Sequence, residues 1–127
     1  MGVTRRILEE QMVRVSHRMH QAGWVANHDG NVTARLPEGR FLATPTAVSK
    51  GDVQRSWLIV VDENGKRVGG LRKPFSELEL HLYIYRRRPD VGVVLHSHAP
   101  CATALAVAGI AVCPRMLAEP VVSPRET

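Results

Sequence analysis

Apolar residues recur at Leu8, Met12, Val15 and Met19, while Arg5, Glu9, Arg14 and Arg18 fall on the opposite face at helical spacing. That spacing predicts an amphipathic helix with its apolar stripe turned to a core. Thr4 is placed to cap the start of this helix, and Gly23 to end it. The pattern then changes. Asn27-His28-Asp29-Gly30-Asn31 is turn chemistry, and Val32 to Leu36 alternates as a strand. Pro37-Glu38-Gly39 turns the chain into a second short strand, Arg40 to Ala43, followed by the irregular Thr44-Pro45-Thr46-Ala47. Ser56 to Asp62 reads as a third strand, and Glu63-Asn64-Gly65-Lys66 as a hairpin turn into Arg67 to Gly70. The first half is therefore a run of antiparallel strands behind a helix.

A second helix is predicted from Ser76, because Ser76-Glu77-Leu78-Glu79 has the form of a capping box. Leu78, Leu82 and Tyr85 share its apolar face, Leu80 and Ile84 broaden that face, and Pro89 closes the helix. Val91 to Leu95 has strand length, and Ala99 to Ala108 is a short Ala-rich helix with Pro100 tolerated in its first turn. Periodicity is lost after Cys113, and Val121 to Thr127 reads as a tail. No repeat or linker divides the chain, so residues 1–127 are expected to form one domain.

Composition narrows the function classes. No apolar stretch approaches the ~20 residues of a membrane helix. Met1 to Glu10 lacks the apolar segment of a secretory signal, so a cytoplasmic location is expected. Cys101 and Cys113 lie in an apolar region and are expected as buried, reduced thiols. The net charge of +5 raises the question of nucleic acid. However, the fourteen Arg and three Lys are spread along the chain, and the one dense run, Arg86-Arg87-Arg88, stands at a predicted helix C-terminus. Cations there oppose the negative end of the helix dipole, and no aromatic stacking platform accompanies them. Neither nucleic acid nor a membrane is expected as a partner; an anionic substrate is another use for the positive charge.

The candidate chemistry begins at His96-Ser97-His98, which ends the last apolar run. In an extended strand, side chains at i and i+2 point the same way, about 6 to 7 Å apart, so two imidazoles can converge on one metal. The alternative is a pair of hydrogen-bonded histidines without metal. Glu77 falls in the first turn of the predicted second helix, where a carboxylate stabilises the helix and where an anion could also bind. Glu79 fits the capping role, and His81 fits packing between helix and sheet. Two loops offer small residues and donors for an anion, Gly30-Asn31 and Thr44-Pro45-Thr46-Ala47.

Taken in order, five blocks resemble the class II aldolase/adducin head family, most closely its fuculose-phosphate aldolase branch. They are Gly30-Asn31-Val32-Thr33-Ala34-Arg35, Leu42-Ala43-Thr44-Pro45-Thr46, Lys73-Pro74-Phe75-Ser76-Glu77, His81-Leu82-Tyr83-Ile84-Tyr85, and Arg88-Pro89-Asp90 through His98. The resemblance implies a single α/β/α domain with a central, largely antiparallel sheet. It implies a zinc-dependent aldolase cleaving a phosphorylated ketose to dihydroxyacetone phosphate and an aldehyde, usually as a homotetramer. His96 and His98 would be two zinc ligands, and Glu77 the general acid/base. Asn31, Thr46, the Ala47 amide and Ser76 would bind the phosphate. By this resemblance Glu77 favours the aldolase branch over the epimerase branch, which usually carries Asp there; a methylthioribulose-phosphate dehydratase and a non-fucose sugar aldolase are further options. Phe75 and Ala47 depart from the family's serine and glycine, so a positive φ at Ala47 would be strained. No histidine follows His98 to match the family's third zinc ligand, so the chain is expected to correspond to the N-terminal portion of the family's domain. The second reading is a catalytically silent, adducin-like structural or interaction module.

Overall fold

The computed structural model describes residues 5–112. Its spine is a five-stranded antiparallel sheet in the order β4-β3-β2-β1-β5. The strands are β1 (Asn31–Arg35), β2 (Phe41–Ala43), β3 (Ile59–Val61), β4 (Arg67–Gly69) and β5 (Val93–His96). Helix α1 (Arg5–Gln21) lies on one face, α2 (Leu78–Arg87) on the other, and α3 (Pro100–Val107) follows β5.

Strand alternation sorts the core into two layers. Val32, Ala34, Leu42 and Val60 pack with Met12 and Met19 of α1. Phe41, Ala43, Ile59 and Val61 pack with Phe75 and with Leu78, Leu82 and Tyr85 of α2. This is the expected α/β/α arrangement, produced by a sheet apolar on both faces between two amphipathic helices. In the α1 stripe Met12 and Met19 are buried, with Leu8 and Val15 partly so. Gly23, at φ +71°, ends the helix in the left-handed conformation that glycine adopts without penalty.

Several expectations shift. Residues Ser56 and Trp57 belong to a 3-10 turn (Arg55–Trp57), so the third strand starts only at Ile59. The last strand begins at Val93, because Val91 donates to the Arg88 carbonyl in the turn that leaves α2. The capping box does not form. Glu77, not Ser76, is the N-cap of α2, and among the described residues no side chain bonds the cap amides. Ser76 Oγ instead donates to Glu77 Oε2 at 2.9 Å, and Glu79 pairs with Arg86 across the helix surface. Cys101 is exposed rather than buried, since α3 buries none of its residues. Cys113, the Thr4 cap and the Val121 to Thr127 tail lie outside the described residues. No helix among the described residues is long and apolar enough to cross a membrane.

The arginine run does stand at the helix end, with Arg87 the last residue of α2 and Arg88 its C-cap. Arg86 pairs with Glu79, Arg88 with Asp90, and Arg87 lies over the Tyr83 ring, so the run is occupied by its own neighbours.

Candidate active site

Antiparallel register brings the site together. Asn31 opens β1 and pairs directly with His96, the last residue of β5, so the turn before β1 and the histidine pair after β5 meet at one end of the sheet. Paired residues point to one face, which puts Asn31, Thr33, Val94 and His96 on the α2 side. Gly30 makes the approach possible. It sits at φ +71°, and a Cβ there would lie 2.8 Å from the His96 carbonyl oxygen and 2.4 Å from Val25.

The second loop is fastened at both ends. The Thr44 amide donates to the Val32 carbonyl at 3.0 Å, Val32 N–H donates to Thr44 Oγ1 at 3.0 Å, and Thr46 N–H donates to the Lys73 carbonyl at 3.0 Å. The last bond ties this loop to the segment that carries Phe75, Ser76 and Glu77. The result is a cavity of about 260 Å³ walled by Asn31, Thr46, Ala47, Ser76, Glu77 and His98, with His28, Asp29, Gly30, Pro45 and Phe75 completing its lining. Thus six of the seven residues expected to bind phosphate, move the proton or hold the metal line one cavity, and the seventh, His96, has its ring against that of His98.

Ala47 adopts φ +57°, the left-handed conformation anticipated for this position. A non-glycine residue there is strained by about 1 to 2 kcal/mol. Ala47→Gly is expected to stabilise the fold by roughly 0.5 to 1 kcal/mol, after the greater unfolded-chain entropy of glycine is offset. Urea denaturation checks this; an unchanged or lowered midpoint would show that the strain is not released.

Glu77 is exposed at the cavity mouth, and its Oε2 accepts from Ser76 Oγ at 2.9 Å and from Asn31 Nδ2 at 3.4 Å. The Ser76 hydroxyl, a backbone hydrogen bond and the nearby His96 and His98 hold its pKa below the usual carboxylate value. It therefore meets a ligand as a carboxylate. The His96 and His98 rings converge, with centroids 4.9 Å apart, and His96 Nδ1 is buried without a hydrogen-bond partner among the described residues. Their donor chemistry fits two positions of a metal site. Among the described residues, no group of three or more His, Cys, Asp or Glu is placed to hold an ion, whereas catalytic zinc commonly has three protein ligands.

His81 lies beneath the site rather than in it. It is fully buried; its Nδ1 is 2.8 Å from Thr33 Oγ1, which is also 2.9 Å from Tyr85 OH, and the Val94 amide donates to that phenol at 3.1 Å. Phe75, where the family has serine, packs edge-on against His81 with centroids 5.1 Å apart. Sequence reasoning did not single out Asp29 or Lys50. Asp29 was only part of a turn, although its place beside Gly30 was a usable signal; Lys50 sits in Ser49-Lys50-Gly51-Asp52, which reads as solvated loop.

Known proteins resemble the chain over about three-quarters of its length or more. The family model of the Class II Aldolase and Adducin N-terminal domain matches residues 10–123. A methylthioribulose-1-phosphate dehydratase of Gluconacetobacter diazotrophicus is 35% identical over 98 residues, covering 77% of this chain and 48% of that protein. A 3-oxo-tetronate 4-phosphate decarboxylase of Escherichia coli K12 is 36% identical over 98 residues, covering 77% of this chain and 46% of that protein. Among solved structures, an L-fuculose 1-phosphate aldolase from Glaciozyma antarctica superposes with a TM-score of 0.76 at 26% identity, covering 82% of this chain and 45% of that one. The chain spans about half the length of the curated relatives it matches.

Proposed function

Because the chain belongs to the class II aldolase and adducin N-terminal domain family, we propose that it carries the phosphate-binding and proton-transfer part of a lyase site for a phosphorylated keto-sugar. The observation that carries this reading is the single cavity in which two anion-suited loops face a carboxylate and an imidazole. Asn31, Thr46, the Ala47 amide and Ser76 hold the phosphate, with hydroxyl and amide donors of the kind a dianion requires. Glu77, kept ionised by Ser76, takes the proton from carbon beside the substrate carbonyl. His96 and His98 supply two donors to a divalent metal, zinc in the first instance, and the remaining donor comes from outside the described residues or from another copy in a homo-oligomer. When bound, such a metal acts as a Lewis acid that polarises a carbonyl.

The leading reaction is loss of water from a phosphorylated ketose, since methylthioribulose-1-phosphate dehydratases recur among the relatives at 34 to 37% identity. Aldol cleavage of an L-fuculose-1-phosphate-type ketose is the second reading, supported by the 0.76 superposition at 26% identity. Both use the same carboxylate and the same phosphate grip, but in cleavage the proton moves the other way at carbon: Glu77 passes the proton lost by the carbinol hydroxyl to the carbon freed when the carbon–carbon bond breaks. The test is to supply the chain with zinc and offer methylthioribulose-1-phosphate, 3-oxo-tetronate 4-phosphate and L-fuculose-1-phosphate. Dehydration product, carbon dioxide and dihydroxyacetone phosphate are followed separately. Zinc-dependent turnover of one substrate is expected. No turnover of any, with no zinc retained on dialysis, would overturn the enzyme reading in favour of a silent module.

A further inference from the structure

Lys50 is 1% exposed, among the most completely buried side chains of the described fold. An ammonium carries three donors, yet Nζ makes one hydrogen bond among the described residues, to the Val48 carbonyl at 3.0 Å. Burying a cation with so little compensation is unfavourable unless a counter-charge is near. The carboxylates that act on it are Asp29 and Glu77, and both line the cavity. Its anchor, Val48, follows the left-handed Ala47 in the loop that walls the same cavity.

We propose that Lys50 is a positioning residue for the phosphate subsite: its bond to Val48 fixes the Thr44–Val48 loop, and its charge lies behind that loop to balance a bound dianion. The proposal rests on the phosphate reading of this cavity and adds to it a buried cation that contacts no substrate atom. Burial lowers the Lys50 pKa on balance, and Asp29 and Glu77 oppose that shift, so the carboxylates favour the ammonium before an anion arrives.

Inorganic phosphate is the probe, titrated into the full chain and followed by NMR at the backbone amides of residues 44–48 and at the Lys50 ε-methylene. Saturable shifts at both are expected. Lys50→Gln, which keeps a donor for Val48 without the charge, is expected to weaken phosphate binding on the order of tenfold. Lys50→Met is expected to weaken it at least as much, and Lys50→Arg to restore it to within about threefold. A loop response with an unmoved Lys50 methylene, or full affinity in folded Lys50→Gln, would overturn the role of Lys50 and leave the phosphate site standing. Absence of any saturable response at residues 44–48 would overturn the phosphate reading and this inference with it. Should the variants fail to fold, the methylene response of the unmodified chain decides.

Discussion

Glu77→Gln is expected, under the proposed lyase function, to lower kcat by two to four orders of magnitude with KM nearly unchanged. Gln has the same length and its carbonyl can still accept from Ser76 and Asn31, so the cavity wall should survive. What it loses is the lone-pair basicity needed to take a proton, a contribution of about 10²- to 10⁴-fold in general acid–base catalysis. Ser76→Ala gives an independent readout. The Ser76 hydroxyl is the largest influence holding the Glu77 pKa down. Its removal raises that pKa, so the acid limb of the pH–rate profile should move to higher pH. A Glu77→Gln enzyme within threefold of the parent would remove Glu77 from the proton-transfer role. An acid limb unmoved by Ser76→Ala would show that another group titrates there.

The elements that period and turn chemistry govern were legible in the sequence, and those settled by long-range partners were not. The α1 stripe and the turns flanking β1 and β2 follow from local pattern, so the sheet and its two helical layers could be anticipated. The Ser76 cap could not be judged locally. Its hydroxyl has a choice between the amides of α2 and the Glu77 carboxylate, and the carboxylate accepts it. Trp57 reads as part of a strand, but its amide donates to the Gln54 carbonyl and it enters a 3-10 turn under Arg72, which lies 4.0 Å from its ring centroid.

The site shows the same division. Residue types in Gly30-Asn31, Ser76-Glu77 and His96-Ser97-His98 named the candidates, but only the pairing of Asn31 with His96 and the bond from Thr46 to Lys73 bring them to one cavity. Lys50 carries no signal in the sequence, because burial of a loop lysine leaves no periodic trace. The chain spans about half the length of its curated relatives, and among the described residues only His96 and His98 converge in the way the sequence motif suggested, without a third potential ligand beside them.

Acidification should expose the buried polar network under the site before it affects the carboxylates. His81 is pushed down to about 4 from 6.5, first by desolvation and then by the neighbouring His96. In the native protein it is a neutral imidazole against Thr33, with the Tyr85 phenol on the same hydroxyl. In the unfolded chain the imidazole protonates near 6.5, so between pH 6.5 and about 4 the unfolded state binds the extra proton. Stability from this group is whole above pH 6.5 and falls as pH drops, by up to about 1.4 kcal/mol per pH unit and roughly 3 kcal/mol across the window. The depressed pKa of Glu77 acts in the same direction but only from its ordinary value of 4.5 downward, so it adds at the acid end alone. Urea titrations at several pH values from 7 to 4 should therefore show a steady loss of unfolding free energy. His81→Gln should be less stable at pH 7, because its fit to Thr33 and Phe75 is lost, yet should show a shallower decline with acid. An equal slope in parent and variant would mean that His81 is not the group whose protonation the folded state resists.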